Sequence, residues 1–405
     1  MDAAKGRRAR HRQGHTLMLP WRKFGLDLLI AIFCITPLPD AVQAQAQSEH
    51  PYRVMDKERV SFEGPGRAED SDLPGTTVRI GLLLPLEGAR AEQGTMLLEA
   101  AQIAVDEANE ETAPPNGRRT YALAVRNESE QWGRASNAIV QLIMEDQVVA
   151  VVTSVDGKIA HEAEQIVNKL ASPVLTLASD PTTTRINIPW IFRAAPSDAE
   201  QAKAIVASIY RDEKAHKVLL VADEDYDGRM GGDEFVRAMG FAGKETPRRM
   251  DVDDRSASVE DLVQKIDLSQ ADVVVVWSGS QVSRAVVSAV SRNKSSLAVY
   301  FSGKATEFLT ENESVQMSRV SPGRSLTNEG FARAYRQKTG ADPVLAAEQM
   351  NFAVRSVIDA TRAVGANRAR VRDYLASGAR IGLGADRVSF DPAGNLVRNP
   401  LKSFD

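Results

Sequence analysis

The sequence predicts an α/β fold made of two doubly wound parallel-sheet lobes in series. Three observations carry that prediction. Short unbroken apolar runs of strand length stand at 78–84 (VRIGLLL), 148–152 (VVAVV) and 273–277 (VVVVW), as expected of strands buried on both faces. Stretches with apolar residues at helical spacing separate them. The alternation runs through one cycle up to about residue 194 and starts again after it, as in repeated βαβ units.

In chain order, 1–44 reads as a secretory signal. Arg7, Arg8, Arg10, Arg12, Arg22 and Lys23 precede the apolar run 28–38 (LLIAIFCITPL). Small residues follow, with cleavage expected after Ala44 or Ala46. The run is about half of the ~20 residues that span a bilayer, so the mature chain is expected not to cross the membrane. Met18 is an alternative start that leaves a more compact signal. Cys34 is the only cysteine and follows Phe33 rather than a small residue, so it is expected to leave with the signal. The mature chain then has no disulfide, thiol nucleophile or cysteine metal site. Residues 45–75, with Pro51, Gly64, Pro65, Gly66, Pro74 and Gly75, read as a flexible lead-in.

The first cycle comprises strands at 78–84, 121–125, 148–152 and 173–177 and helices at 94–109, 132–144 and 159–170. The second opens with a helix over 198–210 that Asp198 is placed to cap. Strands at 218–222, 273–277 and 297–301 follow, with helices at 231–239, 259–266 and 282–291. Helices at 331–339, 344–363 and 371–377 lead to a hairpin, 388–390 and 396–398, around the turn Asp391-Pro392-Ala393-Gly394. Open α/β sheets bind ligands beyond the carboxyl ends of their strands, so two facing sheets predict a cleft.

Composition and motifs narrow the function. The 405 residues are 43% hydrophobic and 26% charged, an ordinary globular balance. Beyond residue 44 there are 43 basic and 51 acidic residues, which argues against nucleic acid as a partner. The loop after the first strand (PLEGARAEQG) holds no G-x-G-x-x-G, and no phosphate loop, H-E-x-x-H or G-x-S-x-G occurs. His50, His161 and His216 read as lead-in or surface histidines, and Asp223 and Asp225 as turn formers. No enzyme activity, cofactor or metal is expected.

Through the stretches 79–86 (RIGLLLPL), 192–198 (FRAAPSD), 223–228 (DEDYDG) and 389–394 (SFDPAG), the chain from 78 to about 405 resembles the type I periplasmic binding proteins, in particular the branched-chain amino-acid-binding proteins of ABC importers. Arg79-Ile80-Gly81, Pro85-Leu86, Gly88, Gly94 and 101–109 (AQIAVDEAN) resemble that family's opening strand and helix. The stretch 192–198 (FRAAPSD) resembles its first hinge crossing, and 223–228 (DEDYDG) the start of its second lobe. Phe331 to Tyr335 and Ser389 to Gly394 match its later patterns. The resemblance implies a hinge of three strands. It places about 76–194 and 323–384 in lobe one, and 195–322 and 385–405 in lobe two.

The resemblance also implies a small polar ligand gripped between the lobes, with two membrane permeases and two ATPases as partners; the signal predicts a periplasmic location, and a monomer is expected. The ligand-binding residues it implies are Ser154 and Asp156 after the third strand, Ala178 and Ser179 after the fourth, Tyr226 and Trp277 from lobe two, Lys304, and Glu87 in the first loop. Asp156, Lys304 and Glu87 depart from the family's pattern. Lys304 stands where an acid for an amino-acid ammonium is usual, and with Asp156 and Glu87 near the lobe-one mouth it disfavours a simple aliphatic amino acid; a different polar ligand, of reversed charge or an amide, is expected. The alternatives left open are a periplasmic sensing module without transport, an enzyme, and a cleft that has lost its ligand.

Overall fold

The architecture follows from two all-parallel sheets and the helices that cover them. In the computed structural model the described residues are 72–111, 119–129, 133–186, 188–211, 216–253, 266–292, 297–308, 329–379 and 388–397, with 258, 261, 264 and two short strands. All lie within the unit His50–Asp405. The expected signal, the first part of the lead-in, Trp132, most of the helix expected over 259–266, and the tail beyond 397 lie outside the described residues. Within the expected lead-in, β1 (Tyr52–Asp56) pairs antiparallel with β2 (Arg59–Phe62).

The first sheet takes in β3 (Thr77–Leu84), α1 (Ala91–Glu111), β4 (Thr120–Asn127), α2 (Arg134–Met144), β5 (Val151–Thr153), α3 (Gly157–Leu170), β6 (Val174–Thr176), α4 (Thr182–Arg185) and β7 (Ile191–Arg193). Its five strands run in parallel in the order β4-β3-β5-β6-β7. Alternating side chains feed opposite faces. Leu82 and Leu84 join Leu97 and Phe352 in one core, while Leu83 joins Ile139, Leu142 and Trp190 in the other. Burial on both faces explains why β3 reads as a continuous apolar run.

The second sheet takes in α5 (Asp198–Ile209), β8 (Val218–Asp223), α6 (Tyr226–Phe241), β9 (Arg248–Val252), β10 (Val273–Trp277), α7 (Ser280–Arg292), β11 (Ala298–Phe301) and α8 (Gly303–Thr306). Its order is β11-β10-β8-β9, again parallel. Val274 and Val276 enter one core with Phe301; Val273, Val275 and Trp277 enter the other with Phe235.

The chain then returns to the first sheet. α9 (Glu329–Thr339), α10 (Leu345–Val364) and α11 (Arg368–Ala376) add Phe331, Phe352, Val357 and Leu375 to its core. The closing hairpin, β12 (Ser389–Phe390) and β13 (Leu396–Val397), packs there as well. Phe390 meets Phe192 edge-on with ring centroids 5.5 Å apart, and the Arg193 amide donates to the Gly394 carbonyl at 2.8 Å. The resemblance groups 385–405 with lobe two, whereas this described part rests on the first sheet. Below, a lobe means one sheet with the helices packed on it.

Three local expectations differ from the structure. Ser197, not Asp198, caps α5: its hydroxyl accepts from the Glu200 amide while the Glu200 carboxylate accepts from the Ser197 amide, a reciprocal capping box. α6 begins at Tyr226, five residues before the expected 231, because Asp225 caps it by accepting from the Gly228 amide at 2.6 Å. β9 was not expected; its sequence RRMDV is mostly polar and half exposed at a sheet edge.

Candidate functional site

Both sheets reverse strand order beside their first strand, between β3 and β5 in one and between β8 and β10 in the other. Such switch points open a crevice beyond the strands' carboxyl ends. The loops leaving those ends converge. In the first lobe, Arg90 from the loop after β3 pairs with Asp156 after β5 at 3.0 Å and with Glu128 after β4 at 3.2 Å. The Ser154 hydroxyl donates to Glu128 at 2.5 Å.

Asp156 is also the N-cap of α3, accepting from the amides of Lys158 and Ile159 at 2.9 and 3.2 Å. The first amide of α3, that of Gly157, is taken by the second lobe. It donates to the Asp227 carboxylate, 3.1 and 3.2 Å from the two oxygens. One helix N-terminus thus holds two carboxylates, the charge its unpaired donors and dipole favour.

A second bridge lies beside the first. The Tyr226 hydroxyl donates to Asp180 Oδ2 at 2.8 Å. Asp180 also contacts His161 Nε2 at 3.0 Å and accepts from the Thr182 hydroxyl at 2.7 Å. His161 Nδ1 meets Glu164 at 2.9 Å, and its ring stands edge-on to Tyr226. A third bridge joins Arg185 to Glu234 at 3.1 Å. On the second lobe Lys304 pairs with Asp225 at 2.8 Å.

Electrostatics follow from burial and pairing. Burial raises Glu128 to about 7 despite Arg90 and Ser154. It likewise raises Asp198 and Asp227 to about 7 and Glu307 to about 8. Burial also acts to raise Asp180, but hydrogen bonds from His161, Thr182 and Tyr226 outweigh it and hold the group at about 2. Hydrogen bonds to Asp180 and Glu164 raise His161 to about 10, so it is a cation at neutral pH. Lys304 loses solvation, yet Asp227 and Asp225 raise its pKa.

The structure therefore gathers Ser154, Asp156, Tyr226 and Lys304 around one polar network. Ser179 lies at its hinge end, where its carbonyl accepts from the Asp198 amide at 2.9 Å. Ala178 is buried, and its amide donates to the Thr176 hydroxyl. Trp277 is fully buried against Phe235 in the second lobe's core. Glu87 is exposed beside the turn that carries Arg90. Sequence reasoning passed over Arg90, Glu128, Asp227 and Glu307 and read His161 as a surface histidine. Only the strand-end positions of Glu128 and of the acids around Tyr226 marked them in advance.

A family model described as "Periplasmic binding protein" matches residues 77–399. Solved structures give the same fold. The branched-chain amino acid transporter substrate binding protein LivJ from Streptococcus pneumoniae, in complex with isoleucine, superposes with a TM-score of 0.64 at 19% identity, covering 80% of this chain and 94% of that one. A solute binding protein of an ABC transporter from Rhodopseudomonas palustris, in complex with 3,4-dihydroxybenzoic acid, gives 0.66 at 16% identity, covering 80% and 92%. Among curated proteins, glutamate receptor 2.9 of Arabidopsis thaliana is 32% identical over 108 residues, 26% of this chain. The match covers 11% of that receptor, so the chain spans about a tenth of the length of this relative.

Proposed function

This chain belongs to the periplasmic binding protein family, and we propose that it captures a small polar solute between its lobes by hinge closure and delivers it to an ABC importer. The carrying observation is the convergence of both switch points on one polar network, with Tyr226 and Asp227 of the second lobe reaching Asp180 and Gly157 of the first. Closure of such a cleft removes water and strengthens each polar contact inside it. A solute favours the closed form only by its differential affinity for it.

In this reading the lobes comprise about 76–194 with 323–384, and 195–322, and Ser154, Asp156, Ser179, Tyr226 and Lys304 face the solute. The basic, then apolar, segment 1–44 directs export to the periplasm, and the partners are permease and ATPase subunits. The relatives' ligands, an aliphatic amino acid and an aromatic acid, set the expected size. Thermal-shift screening of amino acids, amides, carboxylates and amines tests the binding step. One solute is expected to stabilise the chain saturably, by about 2.7 kcal/mol at a hundred times its Kd, and loss of the gene is expected to abolish its uptake. A panel with no stabilising member contradicts the reading. Stabilisation with unchanged uptake contradicts the transport role and favours a sensing module.

A further inference from the structure

The places in the cleft that would attract an anion are already filled by the protein's own carboxylates. Asp156 and Asp227 occupy the first three amides of α3. Arg90 is held by Glu128 and Asp156, and Lys304 by Asp225. His161 is held by Asp180 and Glu164.

Acidic groups nevertheless outnumber the cations. Among the described residues, Asp227, Asp225, Glu307, Asp198 and Asp180 lie in succession within electrostatic range of one another. Lys304, Arg193 and His161 are the cations they share. The surplus is not solvated: Asp198 is 1% exposed, and its Oδ1 has no hydrogen-bond partner among the described residues. The Ser278 hydroxyl, which follows Trp277 at the carboxyl end of β10, is buried and equally without one. A buried carboxylate oxygen without a donor is costly, and Ser179, Trp277 and the charge of Arg193 beside Asp198 leave its Oδ1 unmet.

These carboxylates are not gathered around one point: among the described residues no three acids or histidines converge as metal ligands. That spacing suits N–H donors spread over an organic molecule.

We propose that the solute is a small organic cation, an amine or guanidine, whose N–H groups satisfy Asp198 and the carboxylates of Glu307 and Asp227. This deepens the solute-binding reading above and rests on it. The class differs from the acids bound by the structural relatives, and Lys304, itself paired by Asp225, serves to hold the acidic wall in place.

Isothermal titration of the full-length chain with 1,4-diaminobutane and agmatine, against isoleucine and 3,4-dihydroxybenzoic acid, tests the proposal. Saturable binding of a cation is expected, weakened about tenfold or more by Asp198→Asn. Glu307→Gln is expected to act in the same direction and serves if Asp198→Asn fails to fold by circular dichroism. Binding of isoleucine or the aromatic acid without either cation overturns the charge class and leaves the solute-binding reading standing. Cation binding untouched by both substitutions overturns the site, and heat from none of the four overturns the class together with that reading.

Discussion

Asp227 of the second lobe accepts a hydrogen bond from the Gly157 amide of the first, with its two oxygens 3.1 and 3.2 Å away. The contact joins the start of one lobe's helix to the start of another's, so it exists only while the lobes are together. An Ala Cβ at Gly157 would stand 2.3 Å from Asp227 Oδ1 and 3.0 Å from the Tyr226 ring. Gly157→Ala is therefore expected to push the lobes apart. Small-angle scattering should show a larger radius of gyration than the wild type, and an unchanged radius would mean that Gly157 does not gate closure.

Gly231 serves packing within a lobe rather than between lobes. An added Cβ would lie 1.8 Å from Trp277 Nε1 and 2.4 Å from Cδ1. Trp277 is fully buried and its indole has little room to turn against Phe235. Gly231→Ala is expected to destabilise the second lobe by about 1–3 kcal/mol, read as a lower denaturation midpoint and altered tryptophan emission. A midpoint equal to the wild type would contradict this packing.

Stability should fall from about pH 5 to about pH 8. Glu128, Asp198, Asp227 and Glu307 titrate at about 7, 7, 7 and 8 in the folded chain, above their ordinary values of 4.5, 3.8, 3.8 and 4.5. The folded state thus holds more protons than the unfolded state over that window, and stability declines as pH rises through it. The charged groups facing Glu128 are Arg90, Asp156 and Asp227, with the Ser154 hydroxyl. Those facing Asp198 are Asp180 and Arg193, with Ser179 and Trp277. Lys304, Asp156 and Asp225 face Asp227, and Lys304, Asp227, Asp225 and Asp198 face Glu307. Urea denaturation across that range checks the sign; rising stability would contradict it.

His161 behaves in the complementary way. Its folded value of about 10 lies above its ordinary 6.5. The stabilisation it gives is complete below about pH 6.5 and is lost as pH climbs toward 10. Asp180, Glu164, Thr182 and Tyr226 surround it. His161→Asn should therefore cost most at pH 6 and least near pH 10. A stability gap that is constant with pH would contradict a charged His161.

The fold was legible wherever burial wrote itself into composition. Strands β3, β5 and β10 are apolar on both faces, and a continuous valine and leucine run admits few other readings. β9 was not legible because an exposed edge strand needs no apolar signature, and Arg248 and Arg249 conceal it. Gly228, Gly231 and Gly232 concealed the first turns of α6, since glycine weakens a helix signal; the Asp225 cap overrides them. In the site, Ser154, Asp156, Tyr226 and Lys304 were reached through resemblance to known proteins. Arg90 and Glu128 were not, because their pairing joins loops after different strands, and sheet order alone makes those loops neighbours.

The most direct measurement is a crystal structure of the chain with the solute it retains on purification. The account predicts that solute between the carboxyl ends of the two sheets, within hydrogen-bond reach of Tyr226 and of Asp198 or Ser179, with the lobes closed around it. A solute bound elsewhere, or lobes equally closed around an empty cleft in the presence of saturating solute, would contradict it.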